Sequence, residues 1–184
     1  MTIRSLDPMA DRALVEGLYR DAADYVALER GEAPSPALAE EFFTDAPPGV
    51  DPATSLRLGL FDRGRLAGIA ECGFGYPARG DAYLGLMLLA ANARGAGRGA
   101  QLLRAVEDQA RDCGAPALFL AVLDANEAGR RFWLREGFVR CGPACPPPSA
   151  RRPRACSGWA RRSSPARCCN GTTEAKLTGR LPCH

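Results

Sequence analysis

Only one histidine occurs in the chain, His184, and it stands at the last position. The side chain that most readily serves as a general base near neutral pH is therefore missing from every stretch that could pack around a site. Long apolar runs are missing as well. The longest uncharged apolar stretch falls far short of the about 20 residues that cross a bilayer, and the opening MTIRSLDPMADR lacks the apolar core of a secretory signal. No membrane partner is expected, and the compartment that this predicts is the cytoplasm. Cysteine is plentiful at eight residues, but paired C-x-x-C knuckles are absent: Cys141, Cys145, Cys156, Cys168, Cys169, Cys183 and His184 do not fall into them, and no metal is expected. Aromatic residues are sparse where charge is densest. Trp159 is the only aromatic ring after residue 140, so base stacking is poorly supported and nucleic acid is not an expected partner.

What is present suffices for one domain: 184 residues, 46% of them hydrophobic, can bury a core. The net charge of +3 hides two unlike regions. Residues 1–140 carry 16 arginines against 20 acids, whereas residues 141–184 carry seven arginines and one lysine against a single acid, with six cysteines and seven prolines. The second region shows neither an alternating nor a 3.6-residue apolar period, so it is expected to be an irregular tail that offers no element to a core. Three readings of it stay open: a basic disordered arm, a metal site, or an altered, out-of-frame end of GC-rich composition.

The densest signal lies at residues 84–101, LGLMLLAANARGAGRGAQ. A short apolar strand, expected over residues 83–89, runs into an arginine-glycine loop, and the loop opens into an amphipathic helix in which Leu102, Leu103, Val106 and Ala110 recur at helical spacing. Gly95, Gly97 and Gly99 allow positive φ and close approach of a bulky anion. The first amides of a helix are unpaired and favour negative charge, and the guanidinium forks of Arg94 and Arg98 suit phosphate oxygens. Taken alone, such a cluster also describes a solvated turn. A second apolar run over residues 117–123 follows, then a helix opened by Asn126 and stopped by Gly137. The glycines run G-x-G-x-G rather than G-x-G-x-x-G, which argues against a dinucleotide fingerprint.

In this order the residues resemble the GNAT superfamily of acetyl-CoA-dependent acetyltransferases. Arg94-Gly95-Ala96-Gly97-Arg98-Gly99 matches its Q/R-x-x-G-x-G/A pyrophosphate loop, and the segment from Asn126 to Gly137-Phe138 resembles its second signature. The resemblance covers about residues 1–140 and implies an α/β (α+β) fold, a mixed, mostly antiparallel central sheet flanked by helices. The family's last two strands are in doubt here, because nothing after residue 140 reads as a good strand.

The first half is less diagnostic. Residues 2–6 suit a strand, Asp7-Pro8 a helix start, and Leu14, Leu18, Ala22, Tyr25 and Val26 an inward stripe. A short helix is expected at residues 36–44, then strands at residues 56–61 and 65–74 joined by an Asp62-Arg63-Gly64 hairpin turn. These N-terminal elements would form one wall of the acceptor cleft.

The resemblance implies transfer of an acetyl group from acetyl-CoA to a primary amine by direct attack, without a metal. Gly95, Ala96, Gly97, Arg98, Gly99 and Ala100 would hold the pyrophosphate, with Arg94 beside them. Backbone groups of Met87, Leu88 and Leu89 would pair with the pantetheine arm, the Leu89 amide would polarise the thioester carbonyl, and Asn126 and Trp133 would assist from the next helix. Trp133 stands where many members place an acidic tyrosine, and an indole N–H does not titrate near neutral pH. Glu71 or Tyr83 is the candidate base. Cys72 and Cys113 read as small buried hydrophobes. A non-catalytic acyl-CoA-binding protein is the alternative. The acceptor, a small molecule or a peptide, and a homodimer of the kind many relatives form stay open.

Overall fold

Stretches such as LGLMLL and LFLAVL carry no charge, and strands of that composition need cover on both faces. The structure is a computed structural model that describes residues 1–141 and 156–162. It places these stretches at the middle of a seven-stranded sheet of order β1-β2-β3-β4-β5-β7-β6. The strands are β1 (Thr2–Ser5), β2 (Leu56–Asp62), β3 (Arg65–Phe74), β4 (Ala82–Leu89), β5 (Ala117–Leu123), β6 (Val139–Arg140) and β7 (Cys156–Arg162). All neighbours run antiparallel except β4 and β5, which are parallel. The mixed, mostly antiparallel sheet is the one that the resemblance implies.

Among the described residues five α-helices flank it: α1 (Arg12–Asp21), α2 (Ala23–Arg30), α3 (Ala37–Thr44), α4 (Arg98–Asp112) and α5 (Glu127–Arg135). On α4 the buried positions are Gly99, Leu102, Leu103, Val106 and Ala110, the stripe that the periodicity predicts. This face packs on β2 and β3. The β2–β3 hairpin turns through Arg63 and Gly64, both at positive φ, as its two-residue loop requires.

Three expectations are corrected. Asp7 does not open the first helix; its side chain accepts from the amides of Met9 and Ala10, and α1 starts a turn later with Asp11 as its N-cap. Of the expected inward stripe Leu18, Ala22 and Val26 are buried, but Leu14 faces outward and Val15 and Tyr19 are buried in its place; at Ala22, where φ is −119°, one helix becomes two. The third correction concerns the doubtful C-terminal strands. Cys156–Arg162 is a strand, paired along its whole length with β5 and also with the short β6, and Trp159 is buried in the core. Small and charged residues hide this strand from an apolar pattern; pairing on both edges holds it in the sheet. Cys145, Cys168, Cys169, Cys183 and His184 lie outside the described residues.

Candidate active site

The parallel ladder between β4 and β5 is short. It pairs Ala82 with Leu118, Tyr83 with Phe119 and Leu84 with Leu120, and ends there. Opposite this end, the β3–β4 register slips by one residue, from Glu71↔Leu86 to Cys72↔Leu84, so that Gly85 is extra. Such a bulge bends the strand that carries it. Beyond it the two strands part and leave a cavity, lined by Leu84 to Met87 on one side, Leu120 to Leu123 on the other, and Tyr25, Asn126, Trp133 and Cys156 around it.

Hydrogen-bond alternation fixes which β4 amides turn away from β3. Ala90 N–H donates to the Ala67 carbonyl at 3.0 Å. In an antiparallel ladder that direction reverses at each residue, so Leu88 turns its amide to β3, while Met87 and Leu89 turn theirs away from it. Of the three residues expected to meet the pantetheine arm, Leu88 thus contributes no outward amide. The Leu89 carbonyl also points away from β3, where it accepts from Arg94 Nε and Nη2 at 3.2 and 3.1 Å.

The loop after β4 ends in Gly95 and Gly97 at φ of 83° and 75°, and Gly97 is the N-cap of α4. No atom lies within 4 Å of where a Cβ on either would stand, so the surface is open to an approaching group. The first helical hydrogen bond runs from Gln101 N–H to the Gly97 carbonyl, which puts the amides of Arg98, Gly99 and Ala100 ahead of the ladder, and the first turn holds no acid. Both arginines are engaged in ion pairs: Arg94 with Asp24 of α2, and Arg98 with Asp62 at the end of β2. The Arg94 hydrogen bond holds the Asp24 carboxyl below its usual range, and Arg98 does the same for Asp62.

A second cavity lies on the other side of Gly85 and Leu86. Tyr19, Glu29, Arg30, Glu41, Phe42, Asp45, Pro47 and Glu71 line it. Among the described residues four carboxylates and one guanidinium line it, an excess of negative charge, with Arg30 bonded to Glu41 at 2.5 Å and the buried Arg57 guanidinium acting on Glu71 and Asp45. Glu29 and Glu71 are each 6% exposed. Glu71 Oε2 presses against Gly85, where a Cβ would stand only 2.2 Å from it.

The predicted residues thus divide. Glu71 lines the second cavity, and Met87, Asn126 and Trp133 line the β4/β5 gap. Tyr83 is 1% exposed, packs edge-on against Tyr76 with centroids 5.2 Å apart, and lines neither cavity. Asn126 spends its side-chain oxygen on the α5 N-cap, accepting from Gly129 N–H at 2.8 Å. Trp133 stacks edge-on with Phe132 and Phe138. Cys72 is completely buried, which pushes its thiol well up; Cys113 is instead half-buried at the end of α4. Sequence reasoning missed Tyr25, Glu29, Glu41 and Asp45. Spacing of four between Tyr25 and Glu29, on one helix face, was the available signal. Among the described residues no group of His, Cys, Asp and Glu could hold a metal, and no helix is long and apolar enough to cross a membrane.

Comparison with known proteins agrees with this layout. The acetyltransferase (GNAT) family matches residues 17–138, about two thirds of the chain. None of the curated proteins matches in sequence. Among solved structures, an acetyltransferase from Thermus thermophilus superposes with a TM-score of 0.70 at 21% identity, over 89% of this chain and 98% of that one. The ribosomal-protein-S18-alanine N-acetyltransferase of Escherichia coli gives 0.64 at 18%, over 90% and 95%. PaiA N-acetyltransferase from Thermoplasma acidophilum, in complex with coenzyme A, gives 0.62 at 17%, over 88% and 98%. A strand pair that parts at a bulge, a left-handed glycine loop between the end of β4 and α4 and a family match spanning both lead to one conclusion: the chain belongs to the GNAT acetyltransferase family and is an acyltransferase.

Proposed function

We propose that the protein transfers an acetyl group from acetyl-CoA to a cationic primary amine by direct attack. The observation that carries this reading is the parting of β4 and β5 at Gly85, with the Met87 and Leu89 amides turned away from β3 and the glycine loop following the end of β4. Pantetheine extends β4 through those two amides, and the pyrophosphate rests on the amides of residues 95–100. The Leu89 amide then donates to the thioester oxygen as negative charge develops there. Asn126 and Trp133 close the inner side of the gap.

The acceptor enters from the opposite side of Gly85, where the carboxylates of Glu29, Glu41, Asp45 and Glu71 attract an ammonium group. Glu71 is the residue we assign to take the first proton from the amine, since Tyr83 lines neither cavity. The neutral amine nitrogen attacks the thioester carbon, the C–S bond breaks, and sulfur leaves as the thiolate, to be protonated as the nitrogen gives up its surplus proton. Holding both reactants across a narrow ridge supplies much of the rate. Ribosomal-protein alanine acetyltransferases among the structural neighbours support a peptide N-terminus as one form of acceptor. Calorimetric titration of acetyl-CoA into the full chain tests the cofactor half: micromolar one-to-one binding is expected, and no binding to folded protein refutes it.

A further inference from the structure

We infer that Tyr25, together with Glu29, carries a proton from the acceptor amine to the departing coenzyme A thiolate. The inference rests on the acetyl-transfer reading above. A thiolate leaving group needs a proton donor in the β4/β5 gap, and few groups there can supply one. Asn126 has no acidic proton and its oxygen caps α5, and the indole of Trp133 does not titrate. Among the described residues, Tyr25 and Cys156 are the other polar side chains that line the gap.

Tyr25 is distinguished by its partner. Its hydroxyl donates to Glu29 Oε1 at 3.4 Å. Glu29 lines the acceptor cavity while Tyr25 lines the thioester gap, so one turn of α2 joins the two chambers. The preceding residue, Asp24, pairs with Arg94 of the glycine loop, which ties this helix to the cofactor side of the site.

The protons balance. The ammonium first loses one proton to Glu71 and thence to solvent. The neutral nitrogen forms the C–N bond, and the C–S bond breaks. The nitrogen's surplus proton passes to the Glu29 carboxylate, the Tyr25 hydroxyl proton goes to sulfur, and Glu29 returns its proton to the Tyr25 oxygen. Amide and neutral thiol result, with both side chains restored.

An acceptor-independent test compares the affinities of acetyl-CoA, coenzyme A and desulfo-coenzyme A, by calorimetry at about pH 9, where an ordinary thiol is mostly thiolate. The full chain, Tyr25→Phe and Cys156→Ser are titrated side by side, with Tyr25→Met to stand in if the phenylalanine variant fails to fold. The full chain should prefer coenzyme A over the desulfo analogue by about ten-fold, the worth of one charge-assisted hydrogen bond. Tyr25→Phe should lose that preference and hold acetyl-CoA within about two-fold, whereas Cys156→Ser should keep it. A preference that survives in Tyr25→Phe, vanishes in Cys156→Ser, or is absent from a chain that does bind acetyl-CoA overturns the relay alone. Failure of the folded chain to bind any of the three overturns the acetyl-transfer reading and the relay with it.

Discussion

Gly97→Val separates the phosphate cradle from an ordinary turn. Gly97 sits at φ 75° and ψ −1°, and a Cβ there would meet nothing within 4 Å, so the substitution does not clash. Its cost is conformational: a left-handed backbone costs an L-residue about 1–2 kcal/mol, more for a β-branched one. The loop relieves that strain by rotating to negative φ, which turns the amides beside residue 97 out of the cradle proposed for the pyrophosphate. Losing two charge-assisted hydrogen bonds of about 1.5 kcal/mol each weakens acetyl-CoA by about 100-fold. Gly114→Val is the matched control. Gly114 has φ 76° and equally open surroundings, but it lies at the far end of α4, about 20 Å away along the helix. Both variants should melt at lower temperature, and only Gly97→Val should lose affinity in calorimetry. An affinity within three-fold of the unmodified chain in a folded Gly97→Val protein would refute the cradle.

Other perturbations read other parts of the site. Arg98→Ala should weaken acetyl-CoA by about 1–3 kcal/mol if the guanidinium leaves Asp62 for a phosphate, and calorimetry at fixed salt checks it. Gly85→Ala sets a Cβ 2.2 Å from Glu71 Oε2, so the carboxylate must retreat by about 1 Å; kcat/KM for amine acetylation should fall about 100-fold, and an unchanged value removes Glu71 from the chemistry. Trp159→Ala empties a core position on β7 and should cost about 3–5 kcal/mol in urea unfolding. The Asp11 carboxyl is held below its usual range, chiefly by its hydrogen bond from Arg4. Its contribution is therefore complete above the unfolded value of about 3.9 and is lost as pH falls through the lower folded value; Asp11→Asn should flatten that acid limb in thermal melts.

What the sequence disclosed was local. The glycine loop, the α4 stripe and the Asn126 cap each depend on a few neighbouring residues, and α4, β3 and β5 lie where their patterns place them. What escaped was assembled from afar. Arg94 and Arg98 read as free forks, yet each meets an aspartate, 70 and 36 residues away in sequence. The negative cavity draws Glu29 from α2, Glu41 and the C-cap residue Asp45 from α3, and Glu71 from β3, none of them unusual in its own neighbourhood. Strand β7 is held by partners on both edges rather than by its own composition, so no window of seven residues could reveal it.

The central claim is that this site moves an acetyl group rather than merely holding the cofactor. Incubating the full chain with acetyl-CoA and a mixture of small diamines and peptides bearing a free N-terminus, then reading products by mass spectrometry, tests it most directly. An acetylated amine, formed in step with free coenzyme A and lost in Gly97→Val, is the predicted result. Acetyl-CoA that binds tightly yet stays intact beside every amine would contradict the account and leave an acyl-CoA-binding protein without turnover.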